Sequence, residues 1–307
     1  MNRLAVWVCA LFLGLLLTAN GQQRPQIELG SPEKDGDDKV PIDIFEIEAS
    51  YVFESDLNHG GSFGKQDEIQ NQIYYARRFE IEGRWYARAG LGYSRFDFGN
   101  TAAPVPVHLQ SAAAVFAVEY MKGDDVGAML EVRPGFYTEE HIGLNSFDCP
   151  ITLIRFWILK TDELYLLTGL NYSFLRGGAG VAPVLGLVWV PCKKFHVMLV
   201  PSEPRAVYHV SNELDLYLGG AFEGGSFRTD HHDEYKGIPH VEKLSGTQVD
   251  FSDYRVGGGI VWTPVKNVDI DLAAGCSIQR AFLYHRAGEN YRTDPSPYVR
   301  IQIKAAF

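Results

Sequence analysis

Three shortages bound what this chain can be. Cysteine is scarce: four in 307 residues, with Cys9 inside the leading apolar run and Cys149, Cys192 and Cys276 far apart, an odd set that makes no disulfide framework. Long apolar runs are absent after residue 17, so nothing beyond it matches the ~20 residues a spanning helix needs. Basic residues are in deficit, with 28 Lys and Arg against 38 Asp and Glu and a net charge of -10, which argues against nucleic acid as a partner. Phosphate-binding motifs are missing too. The run Gly177-Gly178-Ala179-Gly180 has no Lys-Ser/Thr ending and opens no helix, so it reads as a loop tip. A chain with these deficits can live in a membrane only as a closed barrel, because backbone polar groups in lipid must be satisfied internally.

The N-terminus carries Arg3, an apolar run from Leu4 to Leu17, then Thr18-Ala19-Asn20-Gly21 with small residues suited to cleavage. Residues 1–21 read as a secretory signal peptide. No small-residue site precedes Cys9, which argues against lipid attachment there. Removing the peptide takes one Arg and no acid, so the mature charge becomes -11. Residues 22–41, with Pro25, Pro32 and the charged run Glu33 to Lys39, predict a solvated, disordered periplasmic lead-in.

From Ile42 to Phe307 the period is two. Phe45, Ile47, Ala49, Tyr51 and Phe53 alternate with Glu46, Glu48 and Ser50, and Trp85, Ala87, Ala89, Leu91 and Tyr93 alternate with Arg88, Gly90, Gly92 and Ser94. The pattern recurs around Leu130, Leu216 and Val256 and ends with V-R-I-Q-I-K-A-A-F, where Val299, Ile301, Ile303 and Ala305 oppose Arg300, Gln302 and Lys304. Tyr254 and Trp262 bracket one apolar face; at ~3.3 Å per residue and ~45° tilt they stand roughly 19 Å apart in height, approaching the ~25 Å apolar band of outer-membrane barrels. Charges of both signs on the opposite face are awkward in a soluble β-sandwich core and normal in a polar lumen.

Connections alternate short and long, as the periplasmic turns and outer loops of such barrels do. Short turns fall at Glu82-Gly83, Gly123-Asp124-Asp125, Thr161 to Glu163, Pro191 to Lys194, Ser211 to Glu213 and Val265 to Asn267. Longer polar stretches run over Ser55 to Gln66, Gly99 to Val107, Thr138 to Asp148, Arg176 to Ala182, Thr229 to Gln248 and Ala287 to Pro297. Pro201-Ser202-Glu203-Pro204 interrupts Phe195 to Val210. A squat hairpin there makes about fourteen strands, and an inward or irregular segment makes twelve. The expected fold is all-β, a transmembrane antiparallel up-and-down β-barrel over 42–307, its last strand closing against the one beginning at Ile42.

Several runs carry a resemblance. Leu199-Val200-Pro201 to Arg205, Leu216-Tyr217-Leu218-Gly219-Gly220, Phe227-Arg228-Thr229-Asp230-His231 and Ser252-Asp253-Tyr254-Arg255-Val256-Gly257 resemble an uncharacterised family of bacterial outer-membrane β-barrels known only as a domain of unknown function. The resemblance implies an outer-membrane barrel and assigns no reaction, ligand or functional residue. The terminal strand is similar to the signal read by the barrel-assembly machinery, with Phe307 as its aromatic end; Val299 stands where many such signals have an aromatic, and Tyr298 precedes it.

Lumen-lining candidates follow from the pleat: Arg88, Glu131, Arg133, Asp253, Arg255, Arg300 and Lys304 point inward, signs interleaved, alongside Glu46, Glu48, Asp215, Asp269 and Asp271. In an open barrel they line a water-filled path and tune its selectivity; in a narrow one they pair across the lumen. A restricted diffusion channel for small solutes, or a structural membrane protein, is the expectation, with no enzyme activity and no cofactor. Outer-membrane lipid and, during biogenesis, the assembly machinery are the expected partners. His231 and His232 in Asp230-His231-His232-Asp233-Glu234, with His240, are outer-loop candidates; zinc or copper could be held there, but the spacing matches no closed tetrahedral site and a solvated loop is the plainer expectation. His209-Val210-Ser211 with Glu213 invites comparison with outer-membrane lipid hydrolases, yet it falls at a short periplasmic turn, away from the outer leaflet. A secreted soluble β-sandwich is the third alternative.

Overall fold

The structure, a computed structural model, describes residues 42–122 and 125–307. The expected signal peptide and lead-in, and the tip of the turn at 123–124, lie outside the described residues. Regular structure among the described residues is strand apart from three single-turn 3-10 segments.

Prolines dictate how the wall is cut. Four continuous strands come first: β1 (Asp43–Asn58), β2 (Ser62–Glu82), β3 (Trp85–Phe98) and β4 (His108–Lys122). The next wall position is split at Pro134 into β5 (Asp125–Val132) and β6 (Gly135–Thr138), and the one after at Pro150 into β7 (Phe147–Asp148) and β8 (Ile151–Lys160). Then come β9 (Leu164–Tyr172), β10 (Val181–Cys192), the short β11 (Phe195–Leu199) and β12 (Arg205–His209), β13 (Leu214–Arg228), β14 (Gln248–Val265) and β15 (Val268–Tyr284). Pro295 splits the last position into β16 (Glu289–Thr293) and β17 (Ser296–Ala306). Each break falls where proline removes a ladder donor.

Counted as wall positions, these strands make a closed antiparallel barrel of fourteen. Closure is β1 against β17, from Ile44 opposite Ala306 to Val52 opposite Tyr298, the pairing the two ends of the period-two region predict. The squat hairpin of β11 and β12 supplies the two positions that separate fourteen from twelve. Its turn, 200–204, folds inward: Val200 packs with Met129, Ile154 and Leu167.

Two expected outer loops are strand instead. Between Ser55 and Gln66, β1 and β2 stay paired to Asn58 opposite Ser62, leaving only 59–61 as a turn. Between Ala287 and Pro297, β15 and β16 pair to Tyr284 opposite Glu289. Polar composition mimics a loop there because a hairpin that has risen above the lipid needs no apolar face.

Lipid-facing positions form an exposed apolar belt that includes Ile73, Leu91, Leu218 and Ile301. Such a belt is unsuited to a monomer in water. Trp85, Trp157, Trp189 and Trp262 lie near the short-turn ends of β3, β8, β10 and β14, each 42 to 50% exposed, and make an aromatic girdle at the periplasmic rim. Phe307, 64% exposed, ends the chain on the same rim, where its carbonyl accepts from the Asp43 amide at 2.9 Å.

At the outer rim the wall takes a shortcut. β13 meets β6 in a parallel bridge, Arg228 opposite Thr138, and the Glu139 amide donates to the Arg228 carbonyl at 2.9 Å. The bridge spans the lumen above the low wall of β8 to β12. Gly135 lets β6 pack closely against β4, since a Cβ there would lie 2.4 Å from the Ala112 carbonyl oxygen.

Candidate functional site: the barrel lumen

The lumen is layered. In the pleat, β1 presents Ile44, Glu46, Glu48, Ser50 and Val52 inward; a register shift between Val52 and Ser55 then changes parity, so that Ser55 and Leu57 continue the inner face. The first five expected lumen-facing acids and bases lie inside as their parity requires: Arg88, Glu131, Asp253 and Arg255 on β3, β5 and β14, and Arg133 just past the end of β5, are all buried. Arg300 joins them from β17. Lys304 is different: it stands at the periplasmic rim, 46% exposed, with Nζ 4.0 Å from Glu46 Oε2.

These side chains form three knots at the waist. In the first, Arg255 holds Asp253 on its own strand, donates from Nη2 to Glu68 Oε1 at 3.0 Å and from Nη1 to Ser50 Oγ at 2.9 Å. Arg280 lies beside it, donating to Ser55 Oγ at 2.8 Å and to the Gln66 carbonyl at 2.6 Å, its Nη1 3.9 Å from Glu68 Oε2. Two carboxylates face two guanidiniums there. In the second, Arg300 donates to Asp271 Oδ2 and to Glu203 Oε1, each at 2.9 Å, and Arg205 binds the same two acids. Tyr217 donates to Asp271 Oδ1 at 2.6 Å, and the Arg205 guanidinium lies 4.1 Å over its ring. Glu203 comes from the inward turn between Pro201 and Pro204, so this knot ties the squat hairpin to the seam strand β17.

The third knot lies on β2 to β5. Glu119 sits 2.7 Å from Arg78 Nε and 3.2 Å from Arg88 Nε; Glu131 receives Arg88 Nη2 at 2.7 Å and Arg133 Nε at 2.6 Å. Glu119 and Glu131 thus each bridge two guanidiniums. Charges removed from water must be paired or they cost several kcal/mol each, and the knots supply those partners.

Above the waist lies an apolar cluster. Phe96 and Phe98 of β3, Phe251 of β14 and Phe282 of β15 meet edge to face or tilted, with ring centroids 4.9 to 5.1 Å apart for four of the pairs. Leu57, Leu109, Leu175, Phe227 and Leu244 complete a cluster that stoppers the outer half. Leu244 reaches it from the 229–247 loop.

Sequence reasoning did not single out Glu68, Arg78, Glu119, Glu203, Arg205 or Arg280, nor the stopper. Glu68 and Arg78 lie on β2, of which only the outer end, up to Gln66, reads as loop. The stopper had a legible signal: Phe96 and Phe98 share the parity of Arg88, Phe251 that of Arg255, and Phe282 that of Arg280. Within one strand the inner face thus changes from charged to aromatic on the way out.

The outer-loop histidines find partners from another loop. His232 Nε2 lies 3.1 Å from Glu139 Oε2 and Nδ1 3.0 Å from Glu234 Oε1. Burial works against the His232 cation, but its hydrogen bonds to Glu139 and Glu234 outweigh it and its pKa lies above the ordinary value. His231 stays exposed on the loop surface, its ring close to Gly246. His240 Nδ1 is 3.5 Å from Glu289 Oε1 on β16. At the periplasmic end His209 does not join Ser211 and Glu213: its Nδ1 pairs with Asp215 at 2.7 Å and its Nε2 with His196 Nδ1 at 3.0 Å, while Ser211 Oγ accepts the Glu213 amide at 3.3 Å.

Solved barrels are similar over most of the chain. The Pseudomonas putida toluene transporter TodX is 12% identical, with 87% of this chain and 90% of that chain covered and a TM-score of 0.50. A TodX monoaromatic hydrocarbon channel mutant, deltaS2, is 11% identical, with 87% and 91% covered and a TM-score of 0.51. No family model matches the sequence, and no curated protein matches it. At these identities the likeness is one of fold. Together with the apolar belt and the tryptophan girdle, it makes this chain a bacterial outer-membrane β-barrel.

Proposed function

We propose that the barrel is a restricted diffusion channel for small solutes, closed at the stopper and narrowed at the paired waist in this conformation, and not an enzyme. The observation that carries this is the waist. Buried ion pairs stabilise no better than well-packed apolar residues of similar volume, so a barrel of purely structural use has no need of so many. Charges lining a lumen are what sets selectivity in a channel. The TodX proteins, described as a hydrocarbon channel and a toluene transporter, have the same kind of fold and support the class without supplying the solute. His209 pairs with Asp215 and His196 and not with Ser211, which counts against a lipid-hydrolase triad at this turn.

The stopper and the inward 200–204 turn favour a second reading, a structural barrel that does not conduct. Planar-bilayer recording separates the two: discrete conductance steps are expected for the channel, and folded, heat-modifiable, inserted protein that passes no current rules it out.

The same proposal includes export by a signal peptide over 1–21, a lead-in over 22–41, membership of the uncharacterised barrel family, and β17 as the strand recognised by the assembly machinery. Phe307→Asp is expected to lower outer-membrane levels of folded protein more than any loop deletion. Normal levels of that variant would contradict the role given to Phe307.

A further inference from the structure

The outer rim holds a set of ligand-type side chains that the lumen does not use. Glu140, His141 and Asp230 each offer one donor atom, and the three atoms lie within 4.8 Å of one another. We propose that they bind a first-row transition dication, with zinc as the probe ion, and that the ion clamps the end of β6 to the end of β13.

Asp230 is the fixed member. Its amide donates to Glu139 Oε2 at 2.9 Å and its carbonyl accepts from Gly246 at 2.7 Å, so the loop on either side of it is tied down. Its carboxylate already accepts the His141 amide at 3.2 Å and faces His141 Nδ1 at 2.7 Å. The other side of the site is equally anchored: Thr138 Oγ1 donates to the His141 carbonyl at 2.8 Å, and Glu139 is pinned to Arg228 by the strand bridge. The site therefore stands on two paired strand ends, the kind of support that preorganises ligands.

Chemistry selects the ion. One imidazole with two carboxylates suits zinc and its neighbours, whereas calcium and magnesium take oxygen donors throughout. Zinc bonds of ~2.0–2.1 Å place tetrahedral donors roughly 3.4 Å apart. Glu140 and His141 are exposed and free to close in on Asp230, and the metal takes the place of the proton that now joins His141 Nδ1 to Asp230. The sequence placed Asp230 in a metal-type run, but spacing gave no hint of His141, which lies 89 positions away.

The test is calorimetric titration of zinc into tag-free, detergent-folded full-length barrel. A single zinc per chain is expected, undisplaced by excess calcium. His141→Ala and Asp230→Asn should each weaken binding by about 10- to 100-fold, the loss typical for a disrupted metal site, while His240→Ala on the same loop leaves it unchanged. Zinc that fails to bind, binds both variants as tightly as wild type, or is lost equally in His240→Ala overturns the proposal. X-ray absorption on zinc-loaded wild type needs no variant: nitrogen and oxygen donors at about 2.0–2.1 Å are expected, and a sulfur shell, which would move the ion to a cysteine, overturns it as well.

Discussion

The two halves of the lumen are filled on opposite principles. In the outer half, aromatic side chains pack by area and by edge-to-face contact, so each ring adds stability and the loss of one is local. At the waist, charged groups are tolerable only as complete sets: Arg255, Arg280, Glu68 and Asp253, all between 0 and 2% exposed, stand or fall together. On the channel reading proposed above, the stopper holds the path closed and the waist, paired in this conformation, decides what passes once the path opens.

Breaking one member of a knot is the strongest way to test that contrast. Arg255→Met leaves Glu68 and Asp253 facing each other without their shared cation and is expected to cost about 3–5 kcal/mol in denaturant unfolding. Adding Glu68→Gln, Asp253→Asn and Arg280→Met should recover most of that loss, since replacing a whole buried charge set is often close to neutral. A quadruple variant as unstable as the single one would refute the idea of interdependent charges.

A stopper substitution should behave more gently. Phe251→Leu keeps the site apolar and forfeits its edge contacts with Phe96 and Phe98, for a cost of about 0.5–1.5 kcal/mol for each pair disturbed. In bilayers it is expected to raise conductance without changing ion preference. The complementary change, Glu131→Gln, removes the carboxylate shared by Arg88 and Arg133 and should shift reversal potentials towards anion preference. A selectivity change in Phe251→Leu, or none in Glu131→Gln, would reverse the division of labour. The smallest effect belongs to the rim: Lys304→Ala breaks a 4.0 Å, half-exposed contact and should alter stability by less than about 1 kcal/mol.

Much of the wall was legible residue by residue. Alternation in Phe45 to Phe53 and Val299 to Ala305 determined two strands, their inner faces and their meeting at the seam, because a pleated strand sends successive side chains to opposite faces whatever surrounds it. The prolines at 201 and 204 located the short hairpin. Hairpin tips above the lipid were not legible: Ser55 to Gln66 carries polar residues on both faces, and polarity is shared by a loop and by a solvated hairpin. The aromatic stopper was written in the parity of Phe96, Phe98, Phe251 and Phe282, where an inner face turns from charged to apolar.

By itself, then, the sequence determined strand type, face and barrel closure, all consequences of local geometry and of solvent on each side of the wall. Only the tertiary structure decided which charge meets which. Arg255 finds Ser50 205 positions away, Gln302 finds Glu46 256 positions away, and Asp230 finds His141 across the outer bridge. Such partners are set by strand register, by the curvature that brings opposite walls together and by the inward course of turn 200–204. None of these is encoded in spacing along the chain.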